Sequence, residues 1–192
     1  MARLSRLESM AKTRETLLKS AVELYLKFGF DPITVDQIAE HAGYSRGAFY
    51  AHFPSKDAIY LKIALDESAK VEKSLISIIR ESNSRDDLIR NICEWTDRGI
   101  DKNEFSHLIV KTLYNAKSNS LLSNEDFSKL RSFWCQAGEA LTRFFPDSRL
   151  PGTPEEIGAT ILLVLADGQF VERAGGPKTS RLLRLTLEAF LR

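Results

Sequence analysis

Between residues 13 and 30 apolar side chains recur at Leu17, Leu18, Ala21, Val22, Leu24, Tyr25 and Phe28, the spacing of a helix with one buried face. Gly29 and Pro32 end it. Thr34 then predicts an N-cap, its hydroxyl accepting from the Gln37 amide, for a second helix in which Val35, Ile38, Ala39 and Ala42 share a face. Gly43 closes that helix. Phe49 and Phe53 mark a third, short helix over 45–52, and Pro54 and Ser55 open a long fourth over 56–81. Beyond Ser82 no stretch alternates with the period of a strand, and no Asn-Gly or Asp-Gly turn separates apolar runs. Further helices are expected at 85–100, 104–116, 123–145, 154–173 and 178–191, with breaks such as Pro146 to Pro154 and Ala174 to Pro177. The chain reads as all-α: an amino-terminal three-helix domain, residues 1–55, joined by a long helix to a carboxyl-terminal helical bundle within residues 56–192.

Composition narrows the classes. Of 192 residues, 43% are hydrophobic and 28% charged, which argues against a disordered or disulfide-stapled chain. The longest mostly apolar stretch, 157–166, is interrupted by Gly158 and Thr160 and falls short of the roughly 20 residues that span a bilayer, so no membrane partner is expected. The charged amino terminus lacks the apolar core of a secretory signal, and a cytoplasmic location is expected. Cys93 and Cys135 lie far apart with no ligand-spaced neighbour; buried reduced thiols are expected, with no metal and no cofactor. A net charge of +1 indicates no polyanion partner by itself, but Arg3, Arg6, Lys12 and Arg14 face only Glu8 within the first fourteen residues. That segment reads either as a flexible arm reaching a nucleic-acid backbone or as a plain tail.

The stretch 34–53, TVDQIAEHAGYSRGAFYAHF, carries the functional signal. Two short helices that cross steeply need a small residue at their approach, supplied by Ala39, and a turn that glycine tolerates, supplied by Gly43. Phe49 packs the second of them onto the first. This is a helix-turn-helix pattern. The run Thr34-Val35-Asp36-Gln37-Ile38-Ala39, with Ala42-Gly43, Ser45-Arg46-Gly47-Ala48-Phe49-Tyr50, His52-Phe53 and Ser55-Lys56, resembles the amino-terminal DNA-binding domain of the TetR (tetracycline repressor) family over residues 13–63. The rest of the chain is similar to that family only in layout.

The resemblance implies that the third helix lies in the major groove and presents Ser45, Arg46, Gly47, Ala48 and Ala51 to base edges. The planar fork of Arg46 suits guanine O6 and N7, and the small Gly47 and Ala48 let the helix sit close. Tyr50, His52 and Lys56 resemble phosphate-contacting positions, with the Thr34 hydroxyl and the start of the second helix adding another anionic contact. Tyr50 is also readable as a core aromatic and His52 as an ordinary exposed residue; Phe53 reads as core. Lys56 opens a helix, where a cation opposes the macrodipole unless a phosphate offsets it. Ala51 departs from the bulkier residue often found there, so operator preference does not carry over.

One motif points elsewhere. Gly43-Tyr44-Ser45-Arg46-Gly47 matches the G-x-S-x-G elbow of serine esterases, but that elbow needs a strand before the serine, and residues 35–42 have helical periodicity. The chain is therefore read as a non-enzyme, with a serine esterase as the remotest alternative.

A single helix-turn-helix reads too few base pairs for genomic specificity, so a homodimer on a pseudo-palindromic operator is expected, with recognition helices about 34 to 36 Å apart. The last two helices are apolar around more than one stripe, and Ile161, Leu165, Phe170, Leu183, Leu187 and Phe190 are the expected interface. The resemblance also implies a small-molecule pocket in the intervening helices, for which Trp95, Phe105, His107, Tyr114, Phe133 and Trp134 are candidate ligand-binding residues. The resulting expectation is a transcriptional repressor released when an effector shifts the fourth helix. Activation, or DNA binding without an effector, are the alternatives.

Overall fold

The computed structural model describes residues 5–99, 112, 122–144 and 151–191. Among the described residues there are eight helices and no strand: α1 (Arg6–Phe28), α2 (Val35–His41), α3 (Arg46–Tyr50), α4 (Lys56–Glu81), α5 (Arg85–Gly99), α6 (Asn124–Thr142), α7 (Pro154–Arg173) and α8 (Thr179–Phe190). The all-α expectation holds. The helix expected at 104–116 lies, apart from Thr112, outside the described residues.

α1 starts at Arg6, ahead of the expected residue 13, because Ser5 and Glu8 form a capping box. The Ser5 hydroxyl accepts from the Glu8 amide at 3.2 Å, and the Glu8 carboxylate accepts from the Ser5 amide at 2.7 Å. These bonds hold the Glu8 carboxyl below its ordinary range. Arg6, Lys12 and Arg14 therefore stand on a helix and not on a flexible arm, and Arg14 is stacked over Phe53 with its guanidinium 4.8 Å from the ring centre.

The chain divides into two compact units, Met1–Asp66 and Glu67–Arg192. The division falls inside α4 because the first turns of that helix complete the amino-terminal core. Ile59, Tyr60, Ile63 and Ala64 are buried, as are Leu17, Ala21, Leu24 and Tyr25 of α1, Ile38 and Ala39 of α2, and Phe49 and Phe53. Tyr60 anchors the group. Its hydroxyl donates to the Ala21 carbonyl at 3.1 Å and its ring meets that of Phe30 edge-on at 5.0 Å. Burial, with Tyr25 beside it, pushes its phenol well above the usual value.

In the second unit one core joins Leu75, Ile76 and Ile79 of α4 to Leu88 and Ile92 of α5, Phe133 and Leu141 of α6, Ile157, Ile161 and Leu165 of α7, and Leu183 and Leu187 of α8. α6 and α7 approach through their backbones: a Cβ on Gly138 would lie 1.7 Å from the Pro154 carbonyl oxygen, and one on Gly158 would lie 1.9 Å from that of Trp134. Only glycine fits either place. α6 and α7 begin with the same device as α1, a capping box of Ser123 with Asp126 and of Thr153 with Glu156. The Arg143 guanidinium gathers the carbonyl oxygens of Ile79, Arg80 and Ser82 at the end of α4. Cys93 is buried and Cys135 half-buried, and both are free thiols. Among the described residues no helix is long and apolar enough to cross a membrane.

Candidate nucleic-acid interface

α2 is built by local chemistry at both ends. Thr34 caps it as expected: its hydroxyl accepts from the Gln37 amide at 3.2 Å and donates to the Gln37 side-chain oxygen at 3.1 Å. At the other end Gly43 adopts φ +75°, its amide donates to Glu40, and the Tyr44 amide reaches back to Ala39. Ala39 is buried at the approach of the helices. His41 and Ser20 share a hydrogen bond of 3.1 Å that ties α2 to α1. With Tyr44 turned by this motif, Ser45 falls at the N-cap of α3, where its hydroxyl accepts from the Ala48 amide at 3.2 Å. A helix-turn and a capping serine therefore occupy the place where a hydrolase elbow needs a strand and a reactive hydroxyl.

α3 fastens itself inward through Phe49, which is fully buried and meets Phe53 with ring centres 5.9 Å apart. Ser45, Arg46, Gly47, Tyr50 and Ala51 are exposed, while Ala48 and His52 are half-buried. At Gly47 an added Cβ would meet nothing closer than the Ser45 hydroxyl at 3.7 Å, so no contact within the protein requires a glycine there. Arg46 leaves the surface with a guanidinium that is 59% exposed yet held. One terminal nitrogen donates to Asp36 Oδ2 at 2.6 Å and the other to the Tyr50 hydroxyl at 3.2 Å, with the plane over the Tyr50 ring. Tyr50 is 44% exposed and meets Phe49 only edge-on, so it is a surface aromatic and not a core one.

Asp36 was absent from the expected site residues. Its signal is the register set by the Thr34 cap, which puts Asp36 in the first turn of α2 while the turn at Gly43 brings the start of α3 back beside it.

Lys56 turns inward onto the loop between α1 and α2. Its ammonium donates to the carbonyl oxygens of Ile33 at 2.9 Å and Phe30 at 3.1 Å, with that of Asp31 at 3.5 Å, and it lies 4.3 Å from the centre of the Phe30 ring. The negative ends of loop dipoles offset its charge at the start of α4. Thr34 is committed in the same way, both hydroxyl roles being used within its own capping box.

In the second unit the expected ligand-binding residues divide. Phe133 is buried in the core; Trp95 and Trp134 are half-buried against it; Phe105, His107 and Tyr114 lie outside the described residues. A cleft of about 530 Å³ is lined instead by Cys93, Asp97, Pro177, Lys178, Ser180, Arg181 and Arg184. The expected dimer residues divide as well. Ile161, Leu165, Leu183 and Leu187 are buried in the protomer's own core, and Phe190 is packed against it. Phe170 alone of the six stands out, 63% exposed, with Leu163 at 61%, Leu185 at 57% and Val171 also exposed. Periodicity marks an apolar face without saying what covers it.

Residues 17–63 match the family model described as "Bacterial regulatory proteins, tetR family". The uncharacterized HTH-type transcriptional regulator YerO of Bacillus subtilis is 33% identical over 73 residues, 34% of this chain and 25% of that protein. The chain thus spans about a quarter of the length of that curated relative. Among solved structures, a transcriptional regulator from Rhodococcus sp. RHA1 is similar with a TM-score of 0.73 at 17% identity, covering 93% of this chain and 95% of its own. FadR of Thermus thermophilus, a TetR-family transcriptional repressor in complex with lauroyl-CoA, is similar with a TM-score of 0.57 at 21% identity, covering 93% of each chain.

Proposed function

We propose that this chain, whose residues 17–63 match the tetR family model, is a sequence-specific DNA-binding transcriptional repressor, released from its operator by a small molecule. One observation carries the reading. α3 anchors by a single buried aromatic, Phe49, and turns a guanidinium, a tyrosine and a glycine to solvent. That surface suits a major groove: Arg46 reads a guanine, Gly47 and Ala48 allow close approach, and Tyr50 and His52 meet the backbone. The protein acts in the cytoplasm as a homodimer on a pseudo-palindrome, and the outward face of Leu163, Phe170, Val171 and Leu185 is the apolar surface for the second copy.

The effector is taken by the carboxyl-terminal unit, with Trp95 and Trp134 as described aromatic candidates; the likeness in fold to a repressor bound to lauroyl-CoA supports this. An effector releases DNA only by binding the non-operator conformation more tightly, about 1.4 kcal/mol for each tenfold change in the ratio of states.

The test is selection of DNA sites from a random pool by the wild type and by Arg46→Ala. The wild type is expected to enrich one two-fold-related site. Arg46→Ala is expected to relax one base pair in each half-site at a cost of about 1 to 3 kcal/mol. Equal affinity of the wild type for every duplex overturns the reading.

A further inference from the structure

An arginine at the edge of a duplex has two kinds of partner. Guanine offers one pair of acceptors per base pair, whereas phosphate oxygens are everywhere and attract the same group without regard to sequence. Whether Arg46 specifies or merely binds depends on what stops it from swinging to the backbone. In this structure two contacts do. Asp36 Oδ2 accepts from one terminal nitrogen at 2.6 Å, the Tyr50 hydroxyl accepts from the other at 3.2 Å, and the guanidinium carbon lies 5.4 Å from the centre of the Tyr50 ring. These occupy two of the five N–H donors and leave three.

The Asp36 bond is hard to explain as a prop for the fold. Both partners are more than half exposed, 59% and 58%, and an exposed pair of this kind adds little to stability. A carboxylate on the face that meets a polyanion also opposes binding. Asp36 thus opposes a polyanion, and beyond the favourable place of an acid in the first turn of α2 its contact to Arg46 fixes the direction of one side chain.

Resting on the function proposed above, we propose that Asp36 is a positioning residue that holds the Arg46 fork toward base edges and away from phosphates, and so sets operator selectivity. Reaching a phosphate on the flank would require Arg46 to give up a charge-assisted bond; reaching a base edge with its remaining donors would not. The Tyr50 ring and hydroxyl supply the second point of the clamp.

The full-length protein tests this on its own selected site and on a duplex changed at the base pair that Arg46→Ala relaxes, with binding followed over a range of salt concentrations. Asp36→Ala is expected to lose about tenfold of the discrimination between the two duplexes. It should bind unrelated DNA more tightly, with a salt dependence steeper by about one in log–log slope. Asp36→Asn, which keeps an oxygen acceptor and loses the charge, is expected to share the tighter non-specific binding but to keep discrimination within about threefold of wild type. A role confined to the α2 helix dipole would move both variants alike. Tyr50→Phe, which keeps the ring, checks the second contact and is expected to lose part of the discrimination; thermal melts confirm that each variant folds. In the double variant with Arg46→Ala, Asp36→Ala should cost no further selectivity. If the wild type selects a site and Asp36→Ala discriminates as well as it does, or Asp36→Asn discriminates as poorly as Asp36→Ala, this inference falls alone. A wild type that selects no site removes the proposed function and this inference with it.

Discussion

The ammonium of Lys56 lies 2.9 Å from the carbonyl oxygen of Ile33 and 3.1 Å from that of Phe30, so the first side chain of α4 closes the loop between α1 and α2. Lys56→Met keeps the stem over the Phe30 ring and removes the donors. It is expected to destabilise the amino-terminal unit by about 1.5 to 3 kcal/mol, the range for hydrogen bonds to a charged group, as read from chemical denaturation. The salt dependence of DNA binding by the folded variant should stay as in wild type; a phosphate contact by Lys56 would instead flatten its slope by about 0.9.

Gly47→Ala separates folding from binding. An alanine within a helix gains about 0.5 to 1 kcal/mol over glycine, and the new methyl group meets only the Ser45 hydroxyl, at an ordinary 3.7 Å. The melting temperature is expected to rise while affinity for the selected site falls by about tenfold, a difference of about 1.4 kcal/mol measured by titration.

The two stripes of α7 and α8 give opposite outcomes. Phe170→Glu, on the outward face, is expected to leave a folded monomer in sedimentation analysis. Leu183→Glu places a charge in the core and is expected to abolish the folded helical signal in circular dichroism.

Three capping carboxylates are expected to contribute to the acid side of the stability profile. Glu8, Asp126 and Glu156 are each held below their ordinary pKa by hydrogen bonds from the capping residue. A lowered carboxylate pKa contributes stability that is present above the unfolded value and is lost as pH falls through the folded one. Helix signal is therefore expected to fall as pH drops below about 4, and the combined Glu8→Gln, Asp126→Asn and Glu156→Gln variant should show a flatter decline.

What could be read before the structure was whatever depends on neighbours in the chain. The Thr34 cap, the Gly43 turn and the inward Phe49 follow from capping, left-handed backbone and helical period, all within a few residues. The start of α1 was missed for a related reason: Leu7 and Met10 are exposed and extend no apolar stripe, so only the Ser5 and Glu8 capping box marks it. The inward contacts of Lys56 are not legible in sequence because its acceptors lie more than twenty residues away. Ile161 and Leu183 read as interface or as core from sequence alone, because a heavily apolar helix does not announce which stripe its own protomer consumes.

Side chains between helices commonly act as springs that absorb small displacements. At Gly138 against Pro154 and Gly158 against Trp134 there is no spring, since main chain meets main chain. α6 and α7 are thereby locked in one register, and neither can take a side chain at these two places without displacing the main chain of the other.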